Sequence, residues 1–204
     1  KRLDTLFSER GLATTRERAR ALILAGQVKV NGSVVSKAGT PVADDASIEL
    51  VTPDHPYVGR GGIKLGHALD VFEIAVTGRS ALDIGASTGG FTDVLLQHGA
   101  ASVVALDVGH GQLDWRLRND PRVIVKEGTN ARALSKSDVP HPVDLVTIDV
   151  AFISLRHILP ALLPVLAPAA DVVALVKPQF EAGRDQVGKG GIVTDPSVHE
   201  AVVA

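Results

Sequence analysis

LDIGASTGGFTDVLL, residues 82–96, decides the fold. A short apolar run from Ser80 to Ile84 stops at the turn Gly85-Ala86-Ser87-Thr88-Gly89-Gly90, after which Phe91, Val94 and Leu95 recur at helical spacing. Strand, tight glycine turn and helix form the opening half of a crossover unit, the only short way to return a chain to a parallel neighbour. The pattern repeats outward. Ser102 to Leu106 closes on Asp107, residues 122–125 form a third run, Val143 to Ile148 closes on Asp149, and residues 172–176 close on Lys177. Runs rich in Val, Leu and Ile, separated by helical stretches, predict an α/β fold with a doubly wound parallel sheet buried on both faces.

Ligands of such sheets bind beyond the carboxyl ends of the strands. Here those ends carry Gly85, Asp107, Asn130 a few residues on, Asp149 and Lys177, a constellation of polar groups. The glycine loop departs from the GxGxxG dinucleotide fingerprint. It runs Asp-x-Gly-x-x-x-Gly-Gly from Asp83, a spacing that resembles the S-adenosylmethionine loop of Rossmann-like class I methyltransferases. That makes Asp83, Gly85, Ser87, Gly89 and Gly90 candidate cofactor residues, with Asp107, Asn130 and Asp149 at the neighbouring strand ends. Asp107 is placed to accept both ribose hydroxyls of a nucleoside, a task shared with NAD enzymes. Gly188-Lys189-Gly190-Gly191 lacks the spacing and the Ser/Thr of a Walker loop and reads as a surface turn. Trp115, between Leu113 and Leu117, reads as a packing residue.

Composition narrows the chemistry. The 204 residues are 45% hydrophobic and 22% charged, enough to bury a core and incompatible with a disordered or fibrous chain. No cysteine is present, which excludes disulfides, thiolate zinc sites and every cysteine nucleophile, and fits a reducing cytoplasm. The seven histidines are scattered without HExxH spacing, so no metal is expected. The chain opens Lys-Arg-Leu-Asp with no apolar core following, so no signal peptide is read. Residues 157–176 are apolar but hold Pro160, Pro164, Pro168 and Asp171, and read as two shorter elements rather than a membrane span.

Charge is segregated. Residues 1–43 hold eight Lys/Arg against three Asp/Glu, while the remainder holds thirteen against twenty. Such asymmetry marks a nucleic-acid-facing end. Leu3, Leu6 and Phe7 keep helical spacing, and Thr14 with Glu17 forms a capping box for a second helix buried through Ala19, Leu22 and Ile23 and stopped at Gly26. Val28-Lys29-Val30, Asn31-Gly32 and Ser33-Val34-Val35 read as a hairpin. The order of these features in RLDTLFSERGLATTRERARALILAGQVKVNGSVV, residues 2–35, resembles the small α+β RNA-binding domain named after ribosomal protein S-four. The resemblance implies binding of structured RNA through phosphates and shape. The candidate RNA-binding residues are Arg2, Arg16, Arg18, Arg20, Lys29 and Lys37, with Arg60 in the later GRGG segment. Residues 1–52 form this domain, 53–58 a proline-punctuated linker, and 59–204 the α/β domain, whose first helix is predicted to bury Leu65, Leu69 and Phe72.

The methyl acceptor is narrowed by exclusion. Methylation of a pyrimidine at ring carbon five generally needs a cysteine. Exocyclic amine methylation usually carries an Asp/Asn-Pro-Pro-aromatic turn, where this chain has Asp149-Val150-Ala151-Phe152. A hydroxyl is the simplest remaining acceptor. It needs a group to take its proton, and an amine whose pKa is lowered by partial burial or a neighbouring cation can do so. Lys64 and Lys177, with Asp149 between them, are the candidate catalytic residues.

GRGGIKL (59–65), LDIGASTGGFTDVLL (82–96), ALDVGHGQL (105–113), LRNDPRV (117–123), TIDVAFISL (147–155) and LVKPQFE (175–181) together resemble the TlyA family, whose members also carry the label hemolysin A. The resemblance implies S-adenosylmethionine-dependent methylation of a cytidine ribose 2′-hydroxyl in ribosomal RNA or ribosomal subunits, in the cytoplasm. It also implies the Lys-Asp-Lys-Glu tetrad of FtsJ-type enzymes, matched by Lys64, Asp149 and Lys177. The fourth member is not matched: Glu181 and Glu200 lack its Gly-Asn-x-Glu context, and five strands are read where the family's sheet has seven. The final strands are therefore expected to be missing. A membrane-active cytolysin and a catalytically silent RNA-binding protein remain the competing readings.

Overall fold

A computed structural model describes residues 1–13, 15–51 and 56–204, in two compact units, 1–56 and 57–204. In the first unit, α1 (Leu3–Glu9) and α2 (Arg16–Leu24) pack on a three-stranded antiparallel sheet of β1 (Val28–Val30), β2 (Ser33–Val34) and β3 (Ile48–Leu50), in the order β2-β1-β3. Leu3, Phe7, Ala19, Ile23 and Val28 are wholly buried and form its core. Asn31 (φ 50°) and Gly32 (φ 80°) both take left-handed backbone, the conformation a two-residue hairpin turn requires. Gly26 (φ 70°) ends α2 in the same way. Thr14 of the expected capping box lies outside the described residues.

The second unit begins with α3 (Gly61–Val71) and continues through β4 (Ser80–Ile84), α4 (Gly90–Gln97), β5 (Ser102–Leu106), α5 (Trp115–Arg118) and β6 (Val123–Lys126). It then runs through β7 (Val143–Ile148), α6 (Leu159–Leu162), β8 (Leu166–Ala174), α7 (Pro178–Glu181) and α8 (Pro196–Val203). The sheet is parallel throughout, in the order β6-β5-β4-β7-β8. The chain moves outward from β4 through β5 to β6, then crosses back to lay β7 on the other side of β4. That reversal opens a crevice at the strand ends. Alternate residues serve opposite cores. Leu82, Ile84, Val104 and Leu106 pack with Ile158 and Leu162 on one face, while Ala81, Val103 and Ala105 pack with Leu65, Val94 and Leu95 on the other.

Four expectations are corrected. Phe72 follows the last turn of α3 as its C-cap and is exposed, so the buried stripe is Leu65 and Leu69 alone. The third strand starts one residue late, at Val123. The last strand starts at Leu166 and ends at Ala174, three residues before Lys177, which caps α7 instead of closing β8. Pro168 is tolerated there because it falls between Leu166 and Asp171, where the register with β7 shifts and no pairing needs its N–H. Trp115 does not pack: it stands exposed at the start of α5. Residues 157–176 divide among a 3-10 turn, α6 and β8, and no helix of the described residues is long and apolar enough to cross a membrane.

Candidate active site

Gly85 leaves β4 at φ 84°, and a Cβ there would stand 2.5 Å from the carbonyl oxygen of Asp149. Only glycine lets the β4 and β7 ends approach so closely. Gly89 (φ 99°) turns the chain into α4, and a Cβ on it would strike Leu117. Gly90 sits against Gly61 and Gly62 of α3, where a Cβ would be 3.1 Å from the Gly62 nitrogen. Gly89 has no side chain to cap α4, and the Thr92 N–H of its first turn is accepted by the buried Asp83 carboxylate.

Asp107, just past β5, joins two loops. Its Oδ2 accepts the Ser87 N–H at 2.7 Å, and its Oδ1 accepts the Gly109 N–H at 2.7 Å. Each oxygen keeps a lone pair for another donor. Asn130 accepts the Arg132 N–H at 3.0 Å and caps a short 3-10 turn. These residues line an open cleft of about 690 Å³ together with Gly85, Ser87, Asp149, Phe152 and Lys177. A smaller recess of about 190 Å³ lies on the other side of the glycine loop, walled by Arg60, Lys64, Gly85, Ser87, Gly90 and Asp149.

Asp149 borders both. Its N–H is held by the Ile84 carbonyl at 3.0 Å. Lys177 Nζ reaches Oδ1 at 2.5 Å, and Lys64 Nζ, carried on α3, stands 4.0 Å from Oδ2. Lys177 and Asp149 are mostly buried (23% and 21% exposed), whereas Lys64 is 55% exposed. The structure thus brings all three predicted catalytic residues to one point.

Asp83 is not with them. It is fully buried beneath α4, accepting from Thr92 Oγ1 at 2.7 Å and Thr147 Oγ1 at 3.0 Å. Alternation along β4 turns it to the α4 face with Ala81, away from the cleft. Burial, with the neighbouring charge of Asp149 as a lesser cause, raises its pKa to about 6, against the hydrogen bonds of the two threonines.

Glu181 is otherwise engaged. It accepts from Ser154 Oγ at 2.6 Å and from the Leu155 N–H at 2.9 Å, tying α7 to the loop that follows Asp149. Phe152 was not singled out from sequence. It is 92% exposed on the cleft wall, at φ 63°, with its ring 5.2 Å from that of Phe180. A bulky residue in left-handed backbone three positions past the carboxylate is visible only in coordinates.

In the first unit, Arg2 and Arg16 both pair with the buried Asp4. Arg20 and Lys37 are exposed, and Lys29 lies on β1 opposite Val34 and Glu49. The side chain of Arg18 lies outside the described residues. Arg60 is the N-cap of α3, in the second unit.

Comparison with known proteins agrees with this geometry. The FtsJ-like methyltransferase family matches residues 57–204, and the S4 domain family matches residues 1–48. The 16S/23S rRNA (cytidine-2′-O)-methyltransferase TlyA of Mycobacterium tuberculosis is 53% identical over 198 residues, covering 97% of this chain and 74% of its own length. A protein of Brachyspira hyodysenteriae named Hemolysin A is 44% identical over 203 residues, 99% of this chain and 84% of that one. A solved structure from Streptococcus thermophilus, also carrying a hemolysin name, superposes with a TM-score of 0.75 at 48% identity, covering all of this chain and 74% of that one. The chain belongs to the FtsJ-like methyltransferase family, with an S4 domain ahead of the transferase sheet.

Proposed function

We propose that the chain transfers a methyl group from S-adenosylmethionine to a ribose 2′-hydroxyl of ribosomal RNA, at a cytidine, in the cytoplasm. The observation that carries this reading is the meeting of Lys64 and Lys177 on opposite oxygens of Asp149, at the junction of the cleft and the recess. The Mycobacterium tuberculosis relative supports the acceptor by its name. In this reading residues 1–52 bind RNA, 53–58 are the linker and 59–204 the transferase domain. Residues 53–55 lie outside the described residues.

The cleft suits the donor. Gly85 presents no side chain to its wall, the Ser87 and Gly109 N–H groups are gathered on Asp107, and Asp107 has lone pairs free for ribose hydroxyls. Gly85, Ser87, Gly90, Asp107 and Asn130 would hold it. When bound, the donor supplies an electrophilic methyl on a sulfonium.

The protein's part is to present and deprotonate the nucleophile. Asp149 anchors Lys177 in one orientation; once its ammonium has released a proton to solvent, the neutral amine accepts the proton of the incoming hydroxyl as attack proceeds. Lys64, more exposed and farther from Asp149, keeps its head group free to grip the same hydroxyl or its phosphate. Glu181, through Ser154 and Leu155, keeps the Asp149 and Lys177 loops in register. Incubation with methyl-tritiated donor and unmodified ribosomal RNA tests the reading. Label should enter RNA with the native chain and not with Lys177→Ala; equal labelling by both would overturn it.

A further inference from the structure

Asp4 is an acid in the most basic stretch of the chain, and it is wholly buried. It sits in the first turn of α1 beside Leu3, Leu6 and Phe7. Arg2 grips it with two bonds, Nε to Oδ1 at 3.0 Å and Nη2 to Oδ2 at 2.9 Å. Arg16, from the start of α2, adds a third from Nε to Oδ2 at 3.3 Å. One carboxylate therefore binds two arginines from two helices, and both arginine side chains remain 53% exposed. Gly39 provides the seat: a Cβ there would be 2.9 Å from Arg2 Nη1 and 3.3 Å from Cζ.

A carboxylate is the wrong charge for a surface that attracts phosphate, and burying one is costly unless it is paired. Its value here is geometric. Two guanidinium groups brought together would repel. With Asp4 between them the group stays net positive, and the N–H groups not used on Asp4 remain available to solvent. Arginines already fixed lose less side-chain freedom when a phosphate docks.

We propose that Asp4 is a positioning residue that holds Arg2 and Arg16 as a preformed clamp for an RNA backbone phosphate. This rests on the reading of the first unit as RNA-binding. Simple electrostatics predicts the opposite effect of removing Asp4, because the protein gains positive charge.

The test is filter binding of deproteinised bacterial ribosomal RNA to the full chain at fixed salt. The variants are Asp4→Asn, Arg2→Ala/Arg16→Ala, the triple variant, and Gly39→Ala, with thermal unfolding of each followed by circular dichroism. Asp4→Asn should weaken binding about tenfold, the scale of a hydrogen bond to a charged group. It should have no further effect once both arginines are gone. Gly39→Ala, which changes no charge and displaces Arg2, should weaken binding severalfold even if Asp4→Asn fails to fold. Unchanged or tighter binding by Asp4→Asn or by Gly39→Ala overturns the proposal. So does an equal loss from Asp4→Asn with and without the arginines, which would mark a merely structural acid. If the double arginine variant binds like the native chain, the reading of the first unit fails as well.

Discussion

Lys64 and Lys177 come from elements 113 positions apart in the chain and meet opposite oxygens of one carboxylate, Oδ2 and Oδ1 of Asp149. The two amines are not equivalent. Lys177 is held close and mostly buried, whereas Lys64 stands off and half-exposed. Removal of either should therefore harm turnover, and Lys177 should matter more. Lys177→Ala is expected to lower kcat by roughly 10²–10⁴, the range of a lost general base, and Lys64→Ala by less, both with donor affinity nearly intact. Single-turnover methyl transfer beside calorimetric donor titration checks both halves.

Asp107 should act on the donor instead. Asp107→Ala removes the acceptor for the Ser87 and Gly109 N–H groups and loosens two cleft loops at once. Donor affinity is expected to fall about 10–100-fold, on the scale of one or two charged hydrogen bonds. Calorimetry reads it directly, and an unchanged dissociation constant would remove Asp107 from the cofactor site.

Gly85→Ala should fail structurally before it fails chemically. The new methyl would meet the Asp149 carbonyl at 2.5 Å in a backbone conformation that L side chains rarely adopt. A loss of about 2–4 kcal/mol is expected from the clash and the strain together. Denaturant unfolding measures it. Activity should fall further than the unfolded fraction explains, because the displaced carbonyl belongs to Asp149.

Asp83 predicts a pH dependence. Folding raises its pKa from 3.8 to about 6, so the folded state holds the proton more tightly than the unfolded one. Its stabilising contribution is full below about pH 4 and is lost as pH rises through 6, an effect of about 3 kcal/mol. The stability of the native chain relative to Asp83→Asn should decline by that order between pH 4 and pH 7. A difference independent of pH would contradict the burial argument.

These contrasts show what the amino-acid order carries. The β4–α4 turn and the strand-end residues were legible because glycine spacing and apolar runs are local signals. The convergence of Lys64, Asp149 and Lys177 could be inferred only from the resemblance and the rule for strand ends, since their proximity depends on the β4–β7 crossover. Asp83 adjoins the loop as its motif requires, but a motif records adjacency and not the face of the strand, and that face is the buried one. Spacing places Phe72 and Trp115 in the packing, yet each falls at a helix end, where the side chain is free to leave the stripe. Ala-Pro-Ala-Ala-Asp has little strand propensity, so the sequence run starts at Val172; β8 reaches back to Leu166 through an irregular stretch whose ends, Leu166 and Asp171, pair with β7. The service of Asp4 to Arg16, and of Glu181 to Ser154, is tertiary and leaves no sequence signature.

The most direct measurement is the identity of the labelled nucleoside. Ribosomal RNA methylated by the native chain with tritiated donor should, after digestion and chromatography, place the label on 2′-O-methylcytidine, and Lys64→Ala and Lys177→Ala should deplete that peak. Label on a base carbon or an exocyclic nitrogen, or a 2′-O-methyl peak untouched by both substitutions, would contradict the assignment of Lys64, Asp149 and Lys177 to hydroxyl activation.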